Sequence, residues 1–215
     1  MTNSAKRNGS IDVVLFDFGG VIAEEGFRNG LDAIAKANGL DEKEFFQAAS
    51  EAISLSGYVS GKAPEKEFWK ELKKKTGIKG DNADLRTEIL SRFILRSWMI
   101  DLVKKLKYEK IIVGILSDQT DWLDKLNEQF CFFRWFDHIF NSYYLGKGKW
   151  DISIFDDIAQ ALNTKPDRIL FIDDNPENID RARKKGWKVI RYVDRESFEK
   201  EFKKIVPPKL NMKSG

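Results

Sequence analysis

Three strongly apolar stretches of this sequence end in side chains that can bind a metal ion or a phosphate group. These side chains belong to Asp17, Ser117 and the adjacent pair Asp173 and Asp174. If the stretches are parallel strands, their carboxyl ends meet at one edge of the sheet, where open α/β sheets bind their ligands. We therefore expect these side chains to lie close together.

Such a convergence of acids predicts a metal site. Carboxylates that lie close together repel one another unless a cation lies between them. For a site built of oxygen ligands the natural cation is Mg²⁺. Ser117 and Lys149, a residue predicted to lie in a loop at the same edge, would then hold a phosphate group. Ser117 would act as a hydrogen-bond donor and Lys149 as a positive charge.

A parallel sheet is needed to bring these side chains together, and the sequence predicts one. Continuous apolar runs are typical of strands buried on both faces, and five runs qualify: 11–17, 111–117, 138–140, 168–174 and 188–193. Helical patterns lie between them at 121–130, 151–162 and 177–185. The last helix has Asn175 placed to cap it, Pro176 in its first turn and Gly186 after its end. This alternation predicts an α/β fold with a Rossmann-like, three-layer parallel sheet.

The stretch 26–98 breaks the alternation, because it contains helical patterns and no convincing strand. The patterns cover 31–38, 41–55, 64–76 and 82–95. We predict an all-helical cap at 22–98, inserted directly after the first strand. The catalytic core would then comprise 10–21 and 99–206, with flexible tails at 1–9 and 207–215.

Composition narrows the class of protein. Apolar residues make up 42% of the 215 residues, which is enough to bury a core, and the formal net charge is only +3. Such a weak excess argues against a nucleic-acid partner, because nucleic-acid binders favour a strong basic stripe. No apolar run reaches the roughly 18 residues that a membrane helix needs, and the polar N-terminus does not resemble a signal peptide. We expect a cytoplasmic protein with no membrane partner; the sequence does not predict its oligomeric state.

The single cysteine, Cys131, excludes an internal disulfide and fits a reducing compartment. It lies in the aromatic stretch 130–135, where we expect a small buried hydrophobic residue rather than a nucleophile. The single histidine, His138, is expected at the edge of a strand. The two residues therefore do not suggest a cysteine protease.

Four segments resemble the ordered motifs of the haloacid dehalogenase superfamily. They are Val14-Leu-Phe-Asp17-Phe-Gly-Gly-Val21, Ile115-Leu-Ser117-Asp118, Ser142-Tyr-Tyr-Leu-Gly146-Lys-Gly-Lys149-Trp-Asp151 and Ile169-Leu-Phe-Ile-Asp173-Asp174-Asn-Pro-Glu-Asn178. One motif alone would be weak evidence, but four in the right order on the expected elements are specific. The resemblance spans residues 11 to about 195, and one branch of the family carries a helical cap where this sequence has its helical stretch.

The resemblance implies a role for each acid. Asp17 would be the nucleophile, forming an aspartyl-phosphate that divides one hard hydrolysis into two easier steps. Mg²⁺ would be bound by the Asp17 carboxylate, the Gly19 backbone carbonyl and Asp174. Asp173 would orient this metal site rather than bind the ion directly.

The resemblance also implies how the phosphate group is bound. Ser117 would donate a hydrogen bond to it, and Lys149 would balance the charge of nucleophile and phosphate. Lys147, two residues away, is the alternative to Lys149 because Trp150 replaces the proline that usually follows the lysine. Backbone amides would bind the remaining phosphate oxygens, namely those of Phe18, Gly19 and Asp118.

Gly19 departs from the family pattern. Most phosphatases of the family have an aspartate here, which protonates the leaving group and then activates water. Loss of such a proton shuttle could slow turnover by about 10²–10⁴-fold. The sequence resembles a branch with Asp-x-Gly-x-Val at this motif, which includes glucose-1-phosphate phosphatases. Glu24, Glu25, Asp118 or a residue of the cap could replace the missing group, and the sequence does not choose among them.

The favoured function is therefore a Mg²⁺-dependent phosphatase acting on a small-molecule phosphomonoester, such as a sugar phosphate. Two alternatives remain open. A catalytically impaired protein that binds a phosphosugar or Mg²⁺ would explain Gly19. A 2-haloacid dehalogenase would also lack the second aspartate, but enzymes of that kind are metal-free and do not carry the acidic pair found at Asp173 and Asp174.

Overall fold

A computed structural model describes residues 10–206 and contains a five-stranded parallel sheet. The strands are β1 (Val13–Phe16), β2 (Ile112–Ser117), β3 (His138–Asn141), β4 (Ile169–Asp173) and β5 (Lys188–Arg191). Their order in the sheet is β3-β2-β1-β4-β5, and all four pairings are parallel. The predicted α/β fold is confirmed, and each of the five predicted strands is present.

Helices cover both faces of the sheet, as its apolar strands require. The helices after the first 96 residues are α5 (Ser97–Tyr108), α6 (Trp122–Phe130), α7 (Ser142–Leu145), α8 (Ser153–Ala161), α9 (Pro176–Lys184) and α10 (Arg195–Ile205). Val14 and Phe16 of β1 belong to the cluster that includes α5 and α10. Val13 and Leu15 belong to the cluster that includes α8 and α9. Because alternate residues of a strand point to opposite faces, this division gives a three-layer core.

Four helices lie between β1 and α5, and no strand lies there in the described chain. They are α1 (Gly26–Ala37), α2 (Glu42–Leu55), α3 (Glu65–Thr76) and α4 (Asn82–Leu90). The two ends of this segment lie side by side. The Arg96 N–H donates to the Ile22 carbonyl at 2.9 Å. The Glu24 N–H donates to the Ile94 carbonyl, also at 2.9 Å. A separate cap at 22–98 stays a prediction, and the tails predicted at 1–9 and 207–215 lie outside the described residues.

Two predicted helix boundaries in this segment are wrong. Helix α1 begins at Gly26 rather than at Leu31, because Glu25 caps it by accepting a hydrogen bond from the Arg28 N–H. Two early glycines, Gly26 and Gly30, conceal this start in the sequence. The fourth helix ends at Leu90 rather than at residue 95, because the chain there turns back towards β1.

Cys131 is exposed, which corrects the expectation that it is buried. It ends α6 in a left-handed conformation, with φ of 52°, and its backbone N–H donates to the Asn127 carbonyl. Its neighbour Phe132 is buried in its place. No helix of the described residues is long and apolar enough to cross a membrane.

Gly30 marks a close contact between α1 and α4. A Cβ atom at Gly30 would lie 2.4 Å from the Ile89 Cα atom, which cannot be accommodated without a backbone shift. We therefore expect Gly30→Ala to lower the free energy of unfolding by about 1–3 kcal/mol through overpacking. Helix propensity alone would instead raise the free energy of unfolding by about 1 kcal/mol, because alanine is a better helix former than glycine.

Urea unfolding, followed by circular dichroism, therefore tests this contact. The two effects change the free energy of unfolding in opposite directions, so its sign shows which one dominates. Asn29→Ala is the matched control, since Asn29 is the exposed neighbour of Gly30 in the same helix. A Gly30→Ala protein that is more stable than wild type would contradict the close contact.

Candidate active site

Asp17 lies at the centre of the sheet edge where the strands end. It follows β1, while Ser117 and Asp173 end the two strands that flank β1. The Ser117 hydroxyl donates to the Asp17 Oδ1 atom at 2.7 Å. The Phe18 backbone N–H also donates to this oxygen at 2.7 Å. The sheet order thus brings together the carboxylate and the hydroxyl that were expected to meet.

Lys149 lies beneath this carboxylate and is almost fully buried. Its Nζ atom is 2.8 Å from Asp17 Oδ2 and 2.6 Å from Asp173 Oδ2, and its side chain is 1% exposed. Burial lowers the pKa of Lys149, but Asp17, Asp173 and Asp118 outweigh this effect and raise its pKa above the ordinary value. Lys149 is therefore a fixed positive charge among carboxylates.

Lys147, the alternative lysine, lies elsewhere. Its ammonium group donates to the Ser153 hydroxyl at 2.7 Å and pairs with Asp157. The backbone N–H of Lys149, by contrast, donates to the Asp118 carboxylate at 2.8 Å, which secures its loop to the end of β2. Of the two lysines, the structure places Lys149 against Asp17.

Asp173 is completely buried, and its oxygens are occupied by protein donors. Besides Lys149, the Asn175 backbone N–H donates to Oδ1 at 2.8 Å. The Asn178 side-chain amide lies 3.3 and 3.2 Å from the two oxygens. Asn178 was not predicted as a site residue, although its place in the first turn of α9, five residues after Asp173, is a signal for this contact.

Three carboxylates form a group that can hold a metal ion. Asp17, Asp173 and Asp174 each offer an oxygen, and these oxygens lie within 4.8 Å of one another. Burial raises the pKa of Asp174, and the nearby Asp17 carboxylate raises it further. Gly20, with φ of 75°, lets the backbone approach Asp174, since a Cβ atom there would be 2.4 Å from Asp174 Oδ2. The donor set and the close backbone fit a hard divalent cation.

A cavity of about 450 Å³ opens above these groups and has two chemically different walls. Asp17, Ser117, Asp118, Lys149 and Asp174 form the polar wall, at the edge of the sheet. Helices α1 and α2 and their surroundings supply the other wall, with Phe27, Arg28, Phe46, Ile53 and Val59. The Arg28 guanidinium lies 3.6 Å from the centre of the Phe46 ring.

Four aromatic residues of the helical segment, Phe27, Tyr58, Phe68 and Trp69, divide between the cavity and the core. Tyr58, Phe68 and Trp69 are fully buried and pack together around Trp122. Phe27 is half-buried and lines the cavity. Of the four, Phe27 is therefore placed to contact a ligand.

The three named acids that could replace the missing aspartate have different surroundings. Glu24 forms a double ion pair with Arg96, at 3.0 and 2.8 Å. Burial raises the pKa of Asp118, whose carboxylate accepts from the Lys149 amide. Glu25 lines the cavity beside Asp17; burial raises its pKa, the Arg28 N–H lowers it, and Asp174 and Asp17 raise it further.

Replacing Lys149 by methionine would leave Asp17 and Asp173 without their shared countercharge. Removal of one partner of a buried ion pair costs about 3–5 kcal/mol, and we expect Lys149→Met to lower the free energy of unfolding by that amount at neutral pH. Lys147→Met is the matched control, since a partly exposed ion pair contributes about 0–1 kcal/mol. Urea denaturation measures the free energy of unfolding of both variants. Equally small decreases in the two variants would contradict the pairing of Lys149 with buried carboxylates.

Comparison with known proteins places the fold. A HAD family enzyme from Bacteroides thetaiotaomicron superposes with a TM-score of 0.73 and 22% identity, covering 90% of this chain and 98% of that chain. A predicted HAD-like family hydrolase from Porphyromonas gingivalis gives a TM-score of 0.70 and 21% identity, with coverages of 93% and 99%. L-2-haloacid dehalogenase from Xanthobacter autotrophicus, with chloropropionic acid covalently bound, gives 0.63 and 17%, with coverages of 92% and 85%.

Sequence identities this low show that the fold is shared, but they do not assign a substrate to this chain. No curated protein sequence matches the chain. The family model for haloacid dehalogenase-like hydrolases, however, matches residues 11–185, which include the acids, the serine and the lysine of the site. The chain is therefore an enzyme that belongs to the haloacid dehalogenase-like hydrolases.

Proposed function

We propose that this hydrolase is a Mg²⁺-dependent phosphatase that cleaves a small phosphomonoester through an aspartyl-phosphate on Asp17. The observation that carries the proposal is the setting of the Asp17 carboxylate. Ser117 and Lys149 hold it at 2.7 and 2.8 Å, and it borders a cavity large enough for a small ligand. A nucleophile with a hydroxyl donor and a fixed cation beside it suits attack on a phosphate group.

The metal would be held by the Asp17 carboxylate, the Gly19 carbonyl and Asp174, with Asp173 orienting the site. Asp173 is already engaged with Lys149, Asn175 and Asn178, whereas Asp174 borders the cavity. When bound, Mg²⁺ would neutralise charge on the transferring phosphoryl group. The B. thetaiotaomicron enzyme was crystallised with magnesium and inorganic phosphate; that complex superposes with a TM-score of 0.68 and 22% identity, covering 86% of this chain and 97% of that chain.

The protein's own groups account for the two chemical steps. Ser117 would donate to a phosphate oxygen, and so would the amides of Phe18, Gly19 and Asp118. The Asp17 carboxylate attacks phosphorus, and the bond from phosphorus to the leaving oxygen breaks. Water then attacks the aspartyl-phosphate, releasing inorganic phosphate and restoring the carboxylate. Lys149 stays protonated throughout and offsets negative charge at the nucleophile.

The helices α1–α4 would act as the cap that selects the leaving group. Their residues form the apolar wall of the cavity, with Phe27, Phe46 and Ile53, while the sheet edge forms the polar wall. The phosphate would lie at the polar wall and the rest of the substrate against the rings. A sugar phosphate, as in the Asp-x-Gly-x-Val branch, has a suitable size and a suitable leaving oxygen.

A 2-haloacid dehalogenase is the competing activity, since an aspartate would there attack carbon. The observation against it is electrostatic. Asp17, Asp173 and Asp174 converge on the site, and a haloacid brings a further carboxylate with no need for a metal. Phosphate chemistry uses a second cation among these acids, whereas dehalogenation would leave Lys149 to balance all three acids and the substrate carboxylate.

Phosphate release from p-nitrophenyl phosphate and a panel of sugar phosphates tests the proposal. We expect release with Mg²⁺, none with EDTA, and a loss of at least 10³-fold in Asp17→Asn, because an amide is a far weaker nucleophile than a carboxylate. Asp167→Asn is the control variant, since Asp167 is exposed and precedes β4. Chloride release from 2-chloropropionate without phosphate release would contradict the proposal in favour of a dehalogenase.

Asp174→Asn tests the metal site separately from the nucleophile. Loss of one charged ligand should raise the Mg²⁺ concentration needed for half-maximal activity by at least tenfold. Asp180→Asn is the control, because Asp180 pairs with Arg183 on the exposed face of α9. A Mg²⁺ titration of phosphatase activity gives both values, and an unchanged midpoint in Asp174→Asn would remove this residue from the metal site.

A further inference from the structure

The space beside Gly19 is filled by a carboxylate from elsewhere in the chain. Gly19 is not among the glycines with positive φ, so its backbone could carry a side chain. A Cβ atom at Gly19 would lie 3.3 Å from Glu25 Oε2, which is tight, and at ordinary distances of 3.6 and 4.0 Å from Phe93 and Gln119. Glu25 therefore occupies the position that a side chain at residue 19 would need.

Glu25 is held in this position by one oxygen and presents the other. It is the N-cap residue of α1, and its Oε1 atom accepts from the Arg28 N–H at 3.2 Å. The bridge between Gly19 and Ala23 keeps the intervening loop folded back on itself. Oε2, the second oxygen, is thereby directed to the backbone of Gly19, two residues from Asp17, at the cavity that both acids line.

The other two acids named for this role are committed to structural contacts. Glu24 is tied by both oxygens to Arg96, whose guanidinium also donates to the Gly20 and Val21 carbonyls. The Asp118 carboxylate accepts a hydrogen bond from the Lys149 backbone N–H at 2.8 Å, and this contact holds the loop of that lysine against the end of β2. Glu25 and Asp118 both line the cavity, but of the three acids it is Glu25 that has an oxygen beside the Gly19 position.

We propose that Glu25 is the general acid and base of this phosphatase, in place of the aspartate that Gly19 lacks. In the first step the Glu25 carboxyl gives its proton to the leaving oxygen as the bond from phosphorus to that oxygen breaks. In the second step the resulting carboxylate takes a proton from the water that attacks the aspartyl-phosphate, which restores the carboxyl. The inference rests on the proposed phosphatase function.

Glu25→Gln separates the two proton transfers. The glutamine oxygen can still accept from the Arg28 N–H, so the cap of α1 is kept. p-Nitrophenolate is a good leaving group that needs little protonation, so the variant should release one equivalent of it in a rapid burst. Turnover should then slow by about 10²–10⁴-fold, because water is no longer activated. With an alkyl or sugar phosphate the burst itself should disappear.

Glu24→Gln is the matched control, since it changes the adjacent glutamate, whose partner is Arg96 rather than the cavity. It should keep turnover within about threefold of wild type on both kinds of substrate. Glu25→Gln with turnover within twofold of wild type on both would overturn the inference and leave the phosphatase function intact. A wild-type protein with no Mg²⁺-dependent release would instead overturn the phosphatase function itself, so the two failures are distinguishable.

Moving the carboxyl group from residue 25 to residue 19 tests its position directly. Glu25→Ala opens the space beside residue 19, and Gly19→Asp then places a carboxyl there. We expect Glu25→Ala to be as slow as Glu25→Gln, and the double variant to recover at least tenfold over it on an alkyl phosphate. Gly19→Asp alone should be impaired, because two carboxyls would compete for one space. A double variant no faster than Glu25→Ala would contradict the inference.

Discussion

The buried ammonium group of Lys149 is the contact on which the whole sheet edge depends. It lies 2.8 Å from Asp17 and 2.6 Å from Asp173, and its backbone N–H binds Asp118. Without it, carboxylates from three neighbouring strand ends would be forced together in a medium that screens charge poorly. One cation thus allows an acid-rich site to form within the fold, before any metal ion is bound, and fixes the orientation of the Asp17 carboxylate.

The two walls of the cavity divide the chemistry between two parts of the chain. The sheet edge carries the groups that would bind a metal and a phosphate, and these are held by hydrogen bonds and ion pairs. The helices after β1 contribute mostly apolar and aromatic side chains, among them Phe27 and Phe46. Glu25 is the exception, since it caps α1 yet directs an oxygen to the polar wall. Under the proposed function, the sheet edge would set the reaction type and the helices would select the substrate.

Much of the fold was predictable because buried parallel strands leave a strong local signal. Residues 13–16 are apolar without interruption and all are fully buried, and the cap of α9 at Asn175 is equally visible in the sequence. One error occurs where a distant contact overrides local preference, and another where a local turn decides exposure. Gly30 weakens a helical pattern, but it is needed for the approach of Ile89, which lies 59 residues away in sequence. Cys131 was expected inside because of its aromatic neighbours, but the turn that ends α6 directs it outwards.

The sheet, the family and the set of residues at the strand ends follow from the amino-acid sequence alone, because the carboxyl ends of parallel strands meet at one edge. The sequence could not determine which of two lysines would lie on Asp17, or that Asn178 would bind Asp173, since both depend on how loops return to the sheet. Nor could it choose among Glu24, Glu25 and Asp118 as the acid beside Gly19. Only the tertiary structure separates Glu24 from Glu25, because adjacent residues of one chain point in different directions, one to Arg96 and the other to the cavity.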